Sequence, residues 1–431
     1  MERFAFADLL DWKRSDNRKP LIIQGARQVG KTWLMKEFGK REYGQVAYIN
    51  FESSTALKSI FLNDFDIKRI ITSIQIETGI KIVAENTLIV LDEIQEAERA
   101  ITSLKYFHEN APQYHVIAAG SLLGITLHQP TSFPVGKVDF LTLFPLTFPE
   151  FLLALNQNSL VELLQMNDWQ LITTFKTKLI EYLRYYYFIG GMPEAVYSYI
   201  IDNDFDKVRT IQKNILYAYE HDFSKHAPVE IVPRIKMLWQ SIPAQLSKEN
   251  KKFIYGAVKR GGRAKEFELA LAWLADCGLV HKVHRISKPS VPLVSYMDLA
   301  AFKLFVIDVG LLSAMGSIDL HTLLEGNSIF SEFKGAITEQ FVLQHLKTQK
   351  RMEVFYWSSE SSIAEIDFVI QWDGRIVPIE VKAEENLQAK SLKSYYHKFA
   401  PTISIRTSMA DYRKESWLTN VPLYAIGSFS L

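Results

Sequence analysis

Three observations predict an α/β architecture built on a parallel sheet. Short apolar runs recur at Leu21–Ile23, Val46–Phe51, Leu88–Leu91, Val116–Ala119 and Phe140–Leu143. Amphipathic, helix-length segments separate them, and strands this short and apolar belong to a parallel sheet covered on both faces. Two of the runs end in residues that carry chemistry: Leu21–Ile23 leads into a glycine-bounded loop, and Leu88–Leu91 into the pair Asp92-Glu93.

Composition bounds the rest. At 431 residues the chain is too long for one ordinary core, and about three domains of roughly 150 residues are expected. Apolar residues make up 48% and charged residues 23%, as in soluble globular proteins. The formal charge is +1, so any nucleic-acid contact must come from a local basic patch. The single cysteine, Cys277, excludes an internal disulfide framework and reads as inert packing. The start, Met1-Glu2-Arg3-Phe4, lacks the form of a signal peptide. The most apolar stretch, Phe140–Leu155, is interrupted by Pro145, Pro149 and Glu150 and cannot span a bilayer. A cytoplasmic protein without membrane contact is the expectation.

The loop after the first strand reads Gly25-Ala26-Arg27-Gln28-Val29-Gly30-Lys31-Thr32, matching the P-loop pattern in full. Backbone N–H groups must wrap a phosphate closely, so Gly25 and Gly30 stand where a side chain would crowd the loop. Lys31 is expected on the β- and γ-phosphates of ATP, Thr32 on its Mg²⁺, and the helix after it points its positive dipole end at the same anion. Asp92 would hold Mg²⁺ through water, and Glu93 would orient and polarise the attacking water. The next strand ends in Gly120-Ser121, which makes Ser121 the candidate sensor of the γ-phosphate.

From about Pro149 to Ser224 the apolar spacing is helical, broken at Gly190-Gly191-Met192-Pro193. Residues 231–300 read as two short helices, a longer one and an extended, hairpin-like stretch from Leu279 to Leu293, a winged-helix order. After Gly326 a helix (Gly335–Lys347) precedes strands Val354–Trp357, Ile366–Gln371 and Ile376–Val381, and a further helix starts near Leu387. Asp373-Gly374 supplies a tight turn. The domains expected are 1–155, 156–230, 231–325 and 326–431.

Glu339, Asp367, Glu380 and Lys382 form a second constellation. Alternation puts Glu380 and Lys382 on one face of their strand. Asp367 lies on the preceding hairpin strand, and Glu339 projects from the helix before it. Such carboxylates with a lysine suit Mg²⁺-assisted phosphodiester hydrolysis: Asp367 and Glu380 hold the metal, with Glu339 beside them, and Lys382 steadies the water. A surface hairpin with paired charges is the alternative.

The stretch from Arg18 to Thr32 resembles that of a widespread bacterial and archaeal group of AAA-type ATPases. So do Tyr48-Ile49-Asn50-Phe51-Glu52, Leu91-Asp92-Glu93-Ile94-Gln95, Gly120-Ser121-Leu122-Leu123 and Phe144-Pro145-Leu146-Thr147-Phe148. Gly190-Gly191-Met192-Pro193-Glu194-Ala195 and Asp308-Val309-Gly310-Leu311-Leu312 complete the set, so the similarity runs over nearly the whole chain. The resemblance implies a P-loop NTPase core of the AAA type, ahead of the helical and winged-helix-like middle region that the order of elements predicts. It also implies a C-terminal α/β domain like restriction endonucleases, of the PD-(D/E)XK superfamily, with Lys390-Ser391-Leu392-Lys393 resembling its follow-on helix. Many members carry an arginine soon after the sensor strand; here Gly136-Lys137 stands there, and Arg27 and Arg99 are the remaining finger candidates.

Two functions stay open on these grounds. One is a nucleotide-gated enzyme acting on nucleic acid; the other is a non-cleaving signalling or assembly ATPase whose C-terminal domain docks DNA or a protein. A basic segment, Lys251, Lys252, Lys259, Arg260, Arg263 and Lys265, is a candidate DNA contact beside the C-terminal domain, and a solvated basic face is its plain alternative. The oligomeric state is left open.

Overall fold

The structure, a computed structural model, describes residues 1–97, 99–120, 133–248, 251–325, 331–349, 352–359, 364–385 and 388–429. Two compact units result: Glu2–Phe144 with Asp276–Leu279, and Pro145–Ala275 with Val280–Leu431.

In the first unit the strands are β1 Leu21–Gln24, β2 Gln45–Asn50, β3 Thr87–Asp92, β4 His115–Ala119 and β5 Asp139–Thr142. Each lies within one residue of the run expected from sequence. All pairings are parallel and the order is β2-β3-β4-β1-β5. Helices Ile67–Thr78 and Ala100–Asn110 cover one face through Ile70, Ile74, Leu104 and Phe107, against Ala47, Ile49, Ile89 and Leu91. Gly39 of helix Lys31–Glu42 approaches Val46 and Leu88, which alternate with Ala47 and Ile89 and so face the other side. Covered on both faces, the central strands β3 and β4 are buried throughout, which is why they read as unbroken apolar runs.

The second unit joins helices to an eight-stranded mixed sheet. Its strands are β6 Val280–Ile286, β7 Met297–Val306, β8 Val354–Ser358, β9 Glu365–Trp372, β10 Arg375–Val381, β11 Ile405–Ser408, β12 Arg413–Lys414 and β13 Thr419–Pro422. They stand in the order β12-β13-β11-β10-β9-β8-β6-β7.

Here the structure departs from the sequence expectation in three ways. The hairpin expected over Leu279–Leu293 returns later, at Met297, because Pro289 and Pro292 cannot donate to a ladder. The hairpin also does not stand apart as a wing: β6 pairs in parallel with β8, so one sheet crosses the boundary placed at 326. Strands β11 and β13 carry no apolar period. Arg406, Thr407, Ser408 and Asn420 are buried, and Arg406 Nε and Ser408 Oγ each donate to Asn420 Oδ1 at 2.9 Å.

The motifs at 144–148, 190–195 and 308–312 meet in this unit. Thr147 caps helix Phe148–Ala154 in a capping box with Glu150. Leu146 N–H donates to Gly191 O at 2.7 Å, and Gly191 N–H to Asp308 Oδ1 at 2.6 Å. A Cβ on Gly191 would stand 2.1 Å from Leu146 O, so only glycine fits. Asp308 also accepts from Leu311 N–H at 3.0 Å and Gln344 Nε2 at 3.3 Å. Burial raises its carboxyl to about 6 against the pull of these donors. His345 closes the group: Nε2 accepts from Phe148 N–H and Nδ1 faces Phe341 O, each at 2.9 Å.

Burial holds the His345 imidazole neutral down to about 4. An unfolded histidine protonates near 6.5, so its contribution to stability is complete above that pH and is lost as pH falls towards 4. Over that window the loss is about 3 kcal/mol. The fall in Tm between pH 6.5 and pH 4 should therefore be shallower in His345→Gln than in the parent, as read by circular dichroism melts.

Candidate functional site

Strand β1 delivers the chain into a loop that no ordinary backbone could follow. Gly25 (φ 144°), Gln28 (φ 67°) and Gly30 (φ 96°) all lie at positive φ, and such alternation turns backbone N–H groups towards one concavity. The loop is anchored from below by the buried Ala26 and Val29. Arg3, itself buried, donates to Val29 O at 3.0 Å and to Phe144 O at 2.6 Å, tying the loop to the chain beyond β5. Sequence reasoning gave Arg3 no role. Arg27 is half-buried and Gln28 exposed.

Helix Lys31–Glu42 begins at the last turn of this loop. Lys31 is buried, and its Nζ donates to Gly25 O at 2.8 Å and Ala26 O at 2.7 Å. Burial lowers its ammonium to about 8, with Glu93 and Asp92 opposing that shift. Thr32 Oγ1 donates to Asp92 Oδ2 at 2.7 Å. The same oxygen accepts from Tyr48 Oη at 2.8 Å, while Oδ1 accepts from Glu93 N–H at 3.1 Å. Tyr48 thus has a task that its motif did not disclose: it holds the Asp92 carboxylate, and burial together with that hydrogen bond raises the phenol.

Glu93 sits at φ 50°, a costly backbone for a non-glycine residue, and Gln95 Nε2 donates to its Oε2 at 2.6 Å. Arg99 is spent locally, donating to Leu62 O at 2.7 Å with its guanidinium over Phe65. Ser121 lies outside the described residues.

The second constellation is also brought together, with members that were not foreseen. Asp367 on β9 accepts from Val381 N–H of β10 at 2.8 Å. Lys382 Nζ pairs with Glu380 Oε1 at 2.7 Å. Glu339, on helix Ser331–Thr348, is paired with Lys251. Lys303 of β7, with 0% of its side chain exposed, reaches Glu365 Oε1 at 2.5 Å, Glu339 Oε2 at 3.5 Å and Asp367 Oδ1 at 3.8 Å.

Burial lifts Asp367 well above the usual carboxylate range, with repulsion from Glu339 and Glu380 adding to it. Burial also raises Glu380. At Glu339 burial is outweighed by Lys251 and Lys303, and the carboxyl falls. Four carboxylates (Glu339, Glu365, Asp367, Glu380) face three ammoniums (Lys251, Lys303, Lys382), leaving one excess negative charge. The raised carboxyls of Asp367 and Glu380 are where a proton offsetting it would be held most readily.

The lysines decide how well a metal fits here. Buried Glu339 Oε2 and Glu380 Oε2 lack a hydrogen-bond donor, which would suit a cation. The place among Glu339, Glu365 and Asp367 already holds the Lys303 ammonium, and a divalent ion beside it would meet strong repulsion. Among the described residues no group of three or more His, Cys, Asp or Glu is placed to hold a metal ion. The C-terminal residues do not fit the metal expected of them.

Lys251 therefore leaves the basic segment in which sequence placed it. Lys259, Arg260, Arg263 and Lys265 remain exposed, around a turn with Gly261 at φ 76°. The signal for Lys303 was present: it stands alone in the apolar run Ala300–Val306.

Residues 17–152 match the family described as an AAA domain. Residues 180–322 and 334–426 match two domains of unknown function, DUF8612 and DUF4143. The first segment is an AAA-type P-loop domain. No curated protein matches the chain. Solved structures similar to it include the Walker-type ATPase PABY2304 of Pyrococcus abyssi, at 12% identity and a TM-score of 0.48, covering 73% of this chain and 95% of that one. The ORC1 protein of Aeropyrum pernix, solved in complex with DNA, aligns at 12% identity and TM-score 0.29 over 75% and 95% of the two chains. Cdc6p from Pyrobaculum aerophilum aligns at 13% identity and TM-score 0.25 over 74% and 92%. Among the described residues no helix is long and apolar enough to cross a membrane.

A Cβ on Gly25 would lie 2.3 Å from Leu143 O, a backbone atom that cannot move aside cheaply. Gly25→Ala should therefore displace the loop, cost about 2 kcal/mol in stability and weaken ATP binding at least about tenfold. Thermal melts and a fluorescent-ATP titration check both; unchanged affinity would show that the loop does not set the site.

Proposed function

We propose that this chain is an ATP-hydrolysing AAA-type ATPase whose second unit docks nucleic acid without cutting it. The observation that carries the ATPase reading is the 2.7 Å hydrogen bond from Thr32 to Asp92, which joins the glycine loop to the carboxylate strand across 60 residues of sequence. Residues 25–30 would wrap the phosphates, and Lys31 would exchange its two loop carbonyls for phosphate oxygens, a better bargain for a cation. Thr32 and Asp92 suit Mg²⁺, which when bound supplies charge neutralisation at the β- and γ-phosphates. Glu93, held by Gln95 on a fixed backbone, would accept the proton of the attacking water.

Two readings of the C-terminal region were open, cleavage and docking. Cleavage by Asp367, Glu380 and Lys382 needs a metal among the carboxylates, and the lysines already there favour docking. Docking would use Lys259, Arg260, Arg263 and Lys265, which stand exposed around one turn and could follow a phosphate backbone.

Lys31→Ala should abolish measurable ATP binding, whereas Glu93→Gln should keep binding and lose turnover by about a hundredfold or more. Calorimetry and phosphate release separate the two; normal ATP affinity in the lysine variant would end the assignment.

Neutralising Lys259, Arg260, Arg263 and Lys265 together should weaken DNA binding similarly for all sequences. It should also lower the slope of log K against log salt by up to about 3–4, read by fluorescence anisotropy. An unchanged slope would return these residues to a solvated face.

A further inference from the structure

The second unit contains an ammonium where a hydrolytic carboxylate cluster would place a metal. We infer that Lys303 is the resident cation of this cluster: with Lys251 it fills the charge and the space a divalent ion would need, and so fixes the region as a non-cleaving module. The inference rests on the docking reading above and supplies its cause.

The geometry is specific. Lys303 comes from β7, at the far edge of the sheet from β13, and its side chain is wholly enclosed. Its Nζ stands within 4 Å of three carboxylates from two elements, Glu339 on a helix and Glu365 and Asp367 on β9. Tyr356 of β8 contributes its ring face, 5.1 Å from Nζ. Lys251 covers Glu339 from a segment whose next residues are stitched to β7, Phe253 N–H donating to Phe302 O at 2.7 Å. A divalent ion entering here must expel a buried ammonium or sit against it. An internal lysine is also held at an effective concentration that no free ion reaches.

Three consequences separate this from a metal centre. In the parent, stripping divalent ions with chelator leaves stability unchanged. In Lys303→Ala the carboxylates lose their counterion, and Tm falls by about 10 °C. In that same variant the space and charge are free, so Mn²⁺ binds and restores much of the lost Tm. Lys303→Met should fall similarly without rescue, because its side chain still fills the space.

The experiment uses the full chain without nucleotide, in four forms: parent, Lys303→Ala, Lys303→Met and Asp367→Asn. Each is titrated with Mn²⁺ by electron paramagnetic resonance, melted with and without Mn²⁺, and incubated with DNA and Mn²⁺. Comparison with Asp367→Asn removes any ion held by Thr32 and Asp92. Support is parent Mn²⁺ binding that Asp367→Asn leaves unchanged, together with Mn²⁺ rescue in Lys303→Ala alone. If Lys303→Ala fails to fold, the parent titration and the Lys303→Met melt decide. Parent Mn²⁺ binding abolished by Asp367→Asn, with no DNA cut, would overturn the lysine's role and leave the docking reading standing. Cleavage by the parent that Asp367→Asn abolishes would overturn both.

Discussion

A charge removed from water has to be paired, and in this chain that requirement sets the position of nearly every chemically distinctive residue. Asp92 is 3% exposed and takes donors from Thr32, Tyr48 and the Glu93 backbone. Asp308 is fully buried and takes three. Lys31 and Lys303 are buried cations with two and three oxygen-bearing partners respectively. Removing one partner from such a group costs several kcal/mol, although the pair as a whole contributes little net stability. The pairs thus act less as glue than as registration marks: Thr32 and Asp92 fix a helix against a strand, and Asp308 fixes Gly191 against Gln344.

The first unit could be read almost completely from the sequence because its physics is local and periodic. Five apolar runs gave five strands, and the glycine pattern gave the loop. Tyr48 and Arg3 escaped because their roles depend on where β2 and the chain start lie relative to the loop, and no spacing encodes that. In the second unit strands β8, β9 and β10 are present as expected, but neither β11 beside β10 nor the pairing of β8 with β6 was expected. β11 is buried through polar residues, two of which donate to Asn420 of β13, so it lacks the hydrophobic alternation on which any such reading depends. The β6–β7 hairpin was foreseen as a local object, whereas its partner β8 comes from 48 or more residues beyond β7. Glu339, Asp367, Glu380 and Lys382 lie in one network of charges, yet its balance turns on Lys251 and Lys303. Both lie before the expected domain boundary.

The P-loop domain and the carboxylate cluster therefore answer the same requirement in opposite ways. Lys31 is held by two neutral carbonyl oxygens of its own loop, partners that a phosphate, carrying full negative charge, can displace. Its lowered pKa records how poorly those carbonyls replace water. Lys303 is held by three carboxylates, and against the pull of complete burial Glu339, Glu365 and Asp367 raise its ammonium above the ordinary lysine value. The first arrangement pairs its cation with neutral oxygens; the second pairs it with charged ones. A site is reactive towards ions when its charges lack partners of matching strength, and by that criterion only the first is poised to receive one. The nucleotide loop and the C-terminal carboxylates each look like a phosphate-processing site when their residue types are counted. They separate when the partner of each buried lysine is named.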